Sequence, residues 1–188
     1  MTDAATVGRY SLSVRALHWL TAVLVFTALI VGFALANALA DRTVLLAVHK
    51  VIGALILVIT VVRIANRLRH RAPAMPSTVG RWERGAILGS EVLFYALLLA
   101  QPFLGWAMLS ASGVPVVIGP IPLPPIAPVD AGLYAVLRNG HSIGAYLLVA
   151  LVAAHVSAVL LHAVSLRDGM LKRMLPRRRM SDTVVSRQ

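Results

Sequence analysis

The sequence predicts an all-α fold, an integral membrane four-helix bundle, and three observations lead to it. Hydrophobic residues make up 59% of the 188-residue chain and charged residues only 13%, too little polar surface for a water-soluble domain of this length. Four apolar runs, at about 16–38, 45–64, 86–109 and 143–164, are each long enough to span a bilayer, which takes about 20 residues at 1.5 Å of rise. The basic residues fall in short segments between these runs rather than along a face. The formal net charge of +11 therefore reads as membrane topology, with no nucleic acid as a partner.

The elements follow in order. The first run is preceded by about 15 mostly polar residues and is too long for the apolar core of a cleavable signal, so it reads as a retained anchor. No fifth run qualifies, and residues 1–188 read as a single membrane domain. Between the third and fourth runs, 113–128 carries Pro115, Pro120, Pro122, Pro124, Pro125 and Pro128 and is expected to be extended. Residues 130–139 can form a helix with Asp130 as its N-cap. Fifteen of the 18 Lys and Arg lie in the N-terminal segment, the loop after the second run and the C-terminal tail, against Arg42, Lys50 and Arg138 on the other side. The positive-inside rule then places both termini in the cytoplasm, with the chain crossing the membrane several times. The absence of cysteine excludes disulfides, thiolate-ligated haem, covalent C-x-x-C-H haem and cysteine-held iron–sulfur clusters.

Four of the six histidines, His18, His49, His141 and His155, lie within apolar helical segments, where imidazole is costly and so points to function. His141 and His155 are 14 residues apart, about 21 Å along a helix axis and on nearly one face. One metal cannot bind both. Depth supplies partners: His49 near the outer end of the second helix matches His141, and His18 near the cytoplasmic start of the first matches His155. Two histidines at one depth on facing helices can hold an iron, so the two layers suggest a two-haem wire with all four as metal ligands. Gly53, four residues after His49, and Gly144, three after His141, would let a cofactor approach the backbone; small residues also simply pack membrane helices together. His162 reads as an interfacial residue or a proton donor, and His70 as a solvated loop residue.

Short motifs carry a family resemblance. They are R-x-L-H-W (Arg15, Leu17, His18, Trp19), H-K-x-x-G (His49, Lys50, Gly53), P-x-x-G-W (Pro102, Gly105, Trp106), H-x-x-G-A-Y (His141, Gly144, Tyr146), A-H-V followed by L-H (His155, His162), and M-L-P-R-R at 174–178. In this order they resemble the bacterial cytochrome b561 family over nearly the whole chain. The resemblance implies two b-type haems, the outer ligated by His49 and His141 and the inner by His18 and His155. It further implies an oxidoreductase that passes electrons from periplasmic superoxide to ubiquinone. The broader superfamily suggests an alternative, a cytochrome b subunit serving a periplasmic dehydrogenase or hydrogenase.

For superoxide, Lys50 and Arg138 are the cations nearest the outer haem edge, where positive charge favours an anionic donor. They can equally pair with haem propionates or reach to the water interface. Asp41 and Asp130 offset part of the outer charge, so no wide positive funnel is evident. For ubiquinone, the inner candidates are His162, Arg63, Arg15 and Glu91. Glu91 reads as a proton carrier in an apolar pocket or as a charge partner for an inner arginine. A structural or transport bundle without haem is the reading from a different class.

Overall fold

The computed structural model describes residues 9–37, 42–69, 75, 79–166 and 171–175. His70, Asp41, Ala38, Arg71, Arg167 and the arginines after Leu175, which carried part of the charge count, lie outside these residues. Four long helices form the framework: α1 (Leu12–Asn37), α2 (Arg42–Arg69), α3 (Arg81–Ala111) and α4 (Ala131–Leu160). A short antiparallel hairpin, β1 (Val116–Ile118) and β2 (Ile121–Leu123), lies between α3 and α4. All four helices are long and apolar enough to cross a membrane.

Each helix outruns its apolar stretch. Hydropathy marks the hydrocarbon slab, whereas helical hydrogen bonding continues into the headgroup region. The extension is largest at α4. The segment expected as a separate short helix near 130–139 and the span expected at 143–164 are one continuous helix running through Gly140. Asp130 starts it as expected: its carboxylate accepts from the Leu133 N–H at 2.6 Å. Asp130→Ala is expected to destabilise the chain by about 1 kcal/mol, measurable as a lowered melting temperature in detergent; an unchanged midpoint would show that the cap is dispensable.

The proline-rich segment is extended, as composition demands, but its middle closes into a hairpin that the prolines did not announce. Gly119 supplies the positive φ of 57° that the two-residue turn requires. Gly113, with φ 74°, turns the chain away from the end of α3. The hairpin segment is tied back to α3, with Trp106 Nε1 donating to the Pro124 carbonyl at 3.0 Å and the Ile126 N–H donating to Ser110 Oγ at 3.2 Å.

Large apolar side chains such as Val23, Ile30, Val58, Val92 and Ile143 point outward on every helix. That outward apolar surface is what a lipid bilayer covers. Inside, Val25, Ile52, Ile56, Leu98 and Leu148 form a small core. α1 packs along α2 and α3 along α4, with α2 joining the two pairs through α3, while α1 and α4 approach each other less closely. The interior between the two helix pairs is therefore where something other than protein can sit. The hairpin lies at one end of the bundle, and the start of α1 and the 171–175 segment, joined by the Tyr10 N–H donating to the Arg173 carbonyl at 3.4 Å, lie at the other.

Candidate functional site

Near the hairpin end, α2 and α4 bring His49 and His141 opposite each other, with ring centroids 6.1 Å apart and planes at 81°. Metal–nitrogen bonds of about 2 Å on opposite sides of one iron, with the ring radius added at each side, place two imidazole centroids roughly 6 Å apart. The spacing thus suits a single iron between the rings. Among the described residues no group of three or more His, Asp or Glu side chains is gathered to bind a metal. The donor set is two imidazoles, which suits an iron that brings its other ligands with it.

A cavity of about 750 Å³ opens around this pair toward the hairpin end, within the roughly 300–1,000 Å³ of sites that bind cofactor-sized molecules. Gly53 lines it, and a Cβ there would meet nothing within 4 Å, so the space beside His49 is open. Arg42, Lys50 and Arg138 all line the cavity, and no carboxylate does among the described residues. Asp130, expected to offset an outer cation, directs its side chain to the start of α4.

Gly144 has a different place from the one expected. It is buried against α3, and a Cβ on it would collide with the Gln101 side-chain amide. Through that gap Gln101 Nε2 donates to the His141 carbonyl at 3.1 Å, while the Gln101 carbonyl faces His141 Nδ1 at 3.1 Å. Gly144 therefore serves helix packing and the fixing of His141 rather than direct contact with the cavity. Gly144→Ala is expected to displace the Gln101 amide at a cost of about 1 kcal/mol, the worth of one hydrogen bond. Thermal melts of Gly144→Ala, Gln101→Ala and the double variant check this: the two losses should not add.

The second pair lies toward the end of the bundle opposite the hairpin. His18 of α1 and His155 of α4 have ring centroids 6.3 Å apart at 57°, again a single-iron spacing. Aromatic rings enclose it: Trp19 stands edge-on to His18 at 5.6 Å, and Phe94 of α3 edge-on to His155 at 5.5 Å. Arg63 acts electrostatically on both imidazoles, and its guanidinium lies 5.6 Å from the Tyr95 ring centroid.

The other inner candidates are engaged in pairs. Arg67 Nε donates to Glu91 Oε1 at 2.9 Å, so Glu91 takes the second of its two sequence readings, charge partner to an inner arginine. The α-helical spacing of α4 ends at Leu160 and passes into a wider π-helical turn at Leu161–Leu166. His162, in that turn, is only 8% exposed and places Nε2 2.8 Å from Glu83 Oε1. Arg15 holds the C-terminal segment, donating through Nη1 to the Leu175 carbonyl at 2.7 Å, beside Trp19 Nε1 to the Met174 carbonyl at 3.1 Å.

Sequence reasoning missed Gln101, Glu83, Phe94 and Gly32, whose missing Cβ would lie 3.0 Å from His49 Cε1. For Gly32 a signal existed. It follows His18 by 14 residues on α1, the same interval that separates His141 from His155. It therefore lies on the face of His18, one layer away.

Comparison with known proteins gives a family. Residues 9–177 match the family described as prokaryotic cytochrome b561. The chain is 25% identical to cytochrome b561 homolog 1 of Escherichia coli (strain K12), over 92% of this chain and all of that protein. It is 27% identical to a protein of Yersinia pestis named probable superoxide oxidase CybB, over 91% of this chain and 98% of that one.

Proposed function

The chain belongs to the prokaryotic cytochrome b561 family, haem-b electron-transfer proteins of the bacterial inner membrane, and from that premise we propose that it is a two-haem superoxide:quinone oxidoreductase. His49 and His141 hold one haem and His18 and His155 the other. The two ring spacings, 6.1 and 6.3 Å, support this assignment, as does the open space beside Gly53. When bound between two imidazoles, haem b supplies one-electron redox chemistry with no open coordination position. The excess of arginine in the N-terminal segment, the loop after α2 and the C-terminal tail supports a cytoplasmic side there and a periplasmic hairpin.

The observation that carries the superoxide reading is the cavity lining. Arg42, Lys50 and Arg138 surround the outer site without a carboxylate among the described residues. In a low-dielectric mouth such a set concentrates a small anion near the redox centre and raises its encounter rate. The name of the Yersinia pestis relative points the same way. At the inner end, Arg63 acts electrostatically on the second imidazole pair, and the Arg67–Glu91 and His162–Glu83 pairs lie on the same helices. They provide the charged and protonatable groups that ubiquinone reduction needs, since each reduced quinone takes up two protons with its two electrons.

The experiment is direct. Purified protein is assayed for haem per chain by the pyridine haemochrome method, then mixed with superoxide with and without ubiquinone. Two haems, rapid reduction by superoxide and reoxidation by ubiquinone are expected. Slow reduction by superoxide with two haems present, together with co-purification of a dehydrogenase, would replace this reading with that of an electron-transfer subunit. Absence of haem would remove both.

A further inference from the structure

Each of the two outer imidazoles is backed by a glycine of a different neighbouring helix. In an α-helix the carbonyl of residue i accepts from the N–H of residue i+4, which pairs Ala28 with Gly32 on α1 and Gln101 with Gly105 on α3. A carbonyl oxygen has a second lone pair, but the side chain at i+4 ordinarily stands over it. At these two positions that side chain is absent. A Cβ on Gly32 would lie 3.0 Å from His49 Cε1 and 3.5 Å from Nδ1, and one on Gly105 would lie 3.4 Å from His141 Cε1 and 3.7 Å from Nδ1. Through the second gap His141 Nδ1 reaches the Gln101 carbonyl at 3.1 Å. Through the first, His49 Nδ1 is buried without a closed hydrogen bond, and the Ala28 carbonyl is the backbone acceptor it faces.

We propose that Gly32 and Gly105 are positioning residues for the outer haem: each uncovers the carbonyl one turn earlier on its helix, so that Ala28 and Gln101 anchor His49 and His141 through Nδ1. Nδ1 then carries the proton, and Nε2 presents its lone pair to the space between the rings, the form in which imidazole ligates a metal. An iron held between the two rings would favour the His49 orientation in which Nδ1 donates to the Ala28 carbonyl. The proposal rests on the two-haem reading above. It is confined to one layer: the inner imidazoles are backed by Trp19 and Phe94, and among the described residues no glycine stands against either ring.

The test uses the purified haem-loaded protein and two readouts, potentiometric titration that resolves the two haems and the low-spin electron paramagnetic resonance signal of each. Gly32→Ala puts its methyl at the tighter of the two contacts, so it is expected to shift the outer haem's midpoint potential and signal, or to release that haem alone. Gly105→Ala makes ordinary contact and is expected to change little, whereas Gly105→Val covers the Gln101 carbonyl and is expected to act like Gly32→Ala. Gly89→Ala, on α3 with nothing within 4 Å of the added Cβ, is the control and is expected to match the unsubstituted protein. The proposal is overturned if Gly32→Ala and Gly105→Val leave the outer haem unmoved, or if they move or release both haems alike. Fewer than two haems in the unsubstituted chain would instead overturn the two-haem reading, and the anchoring proposal with it.

Discussion

His155→Ala is expected to lower the haem content from two per chain to one, leaving the outer haem's potential and resonance signal close to those of the unsubstituted protein. The reason is the separation of the layers along α4. His155 faces His18 at 6.3 Å, and His141, 14 residues earlier, faces His49 at 6.1 Å. Removing one imidazole would leave the proposed inner haem with a single protein ligand in a site walled by Trp19 and Phe94. The fold itself is expected to survive, because alanine is the best helix former and Val25, Ile52, Ile56, Leu98 and Leu148 still form the core. Haemochrome assay and resonance spectra of the folded variant check this. Retention of both haems, or equal loss from a folded chain, would mean that the layers are paired wrongly.

The second large effect is electrostatic. Reversing both Lys50 and Arg138 to Glu is expected to slow reduction by superoxide about tenfold or more at low ionic strength, the lower end of what steering contributes in charged clefts. The deficit should shrink as salt rises and the screening length falls below about 10 Å. Stopped-flow rates at several salt concentrations, with haem content measured alongside, separate the two roles of these cations. A slow reaction with two haems retained assigns them to attracting the anion. Loss of the outer haem assigns them to holding the cofactor. Unchanged rates at low salt would sink the superoxide proposal's electrostatic basis.

How much of this was legible in sequence differs by kind of residue. The four spans were readable because a bilayer imposes one simple demand, an apolar stretch of fixed length, and the chain meets it four times. The imidazole layers were readable because an ionisable residue in hydrocarbon is rare, and helical rise converts sequence spacing into depth. Helix ends were less legible. Hydropathy falls off at the interface while the hydrogen-bonded helix continues, so α4 began at Ala131 instead of near 143.

The supporting residues were hidden for a different reason. Gln101 looks like one polar residue beside a proline in an apolar run, and nothing local says that its amide and carbonyl both serve His141 on another helix. Gly144 sits on the face expected, and its missing side chain makes room for Gln101. Glu91 and His162 had two readings each, and partners from neighbouring elements, Arg67 and Glu83, show how each is engaged.

By itself, then, the sequence determined the membrane class, the four crossings and the two depths at which imidazoles occur, since all three depend only on composition and on distance along one helix. Tertiary structure decided what stands opposite each imidazole, which glycines give way to a neighbour and where the outer cations converge. Those depend on the rotation and approach of one helix relative to another. Many side chains distributed over the whole bundle set that relation, and no short motif encodes it.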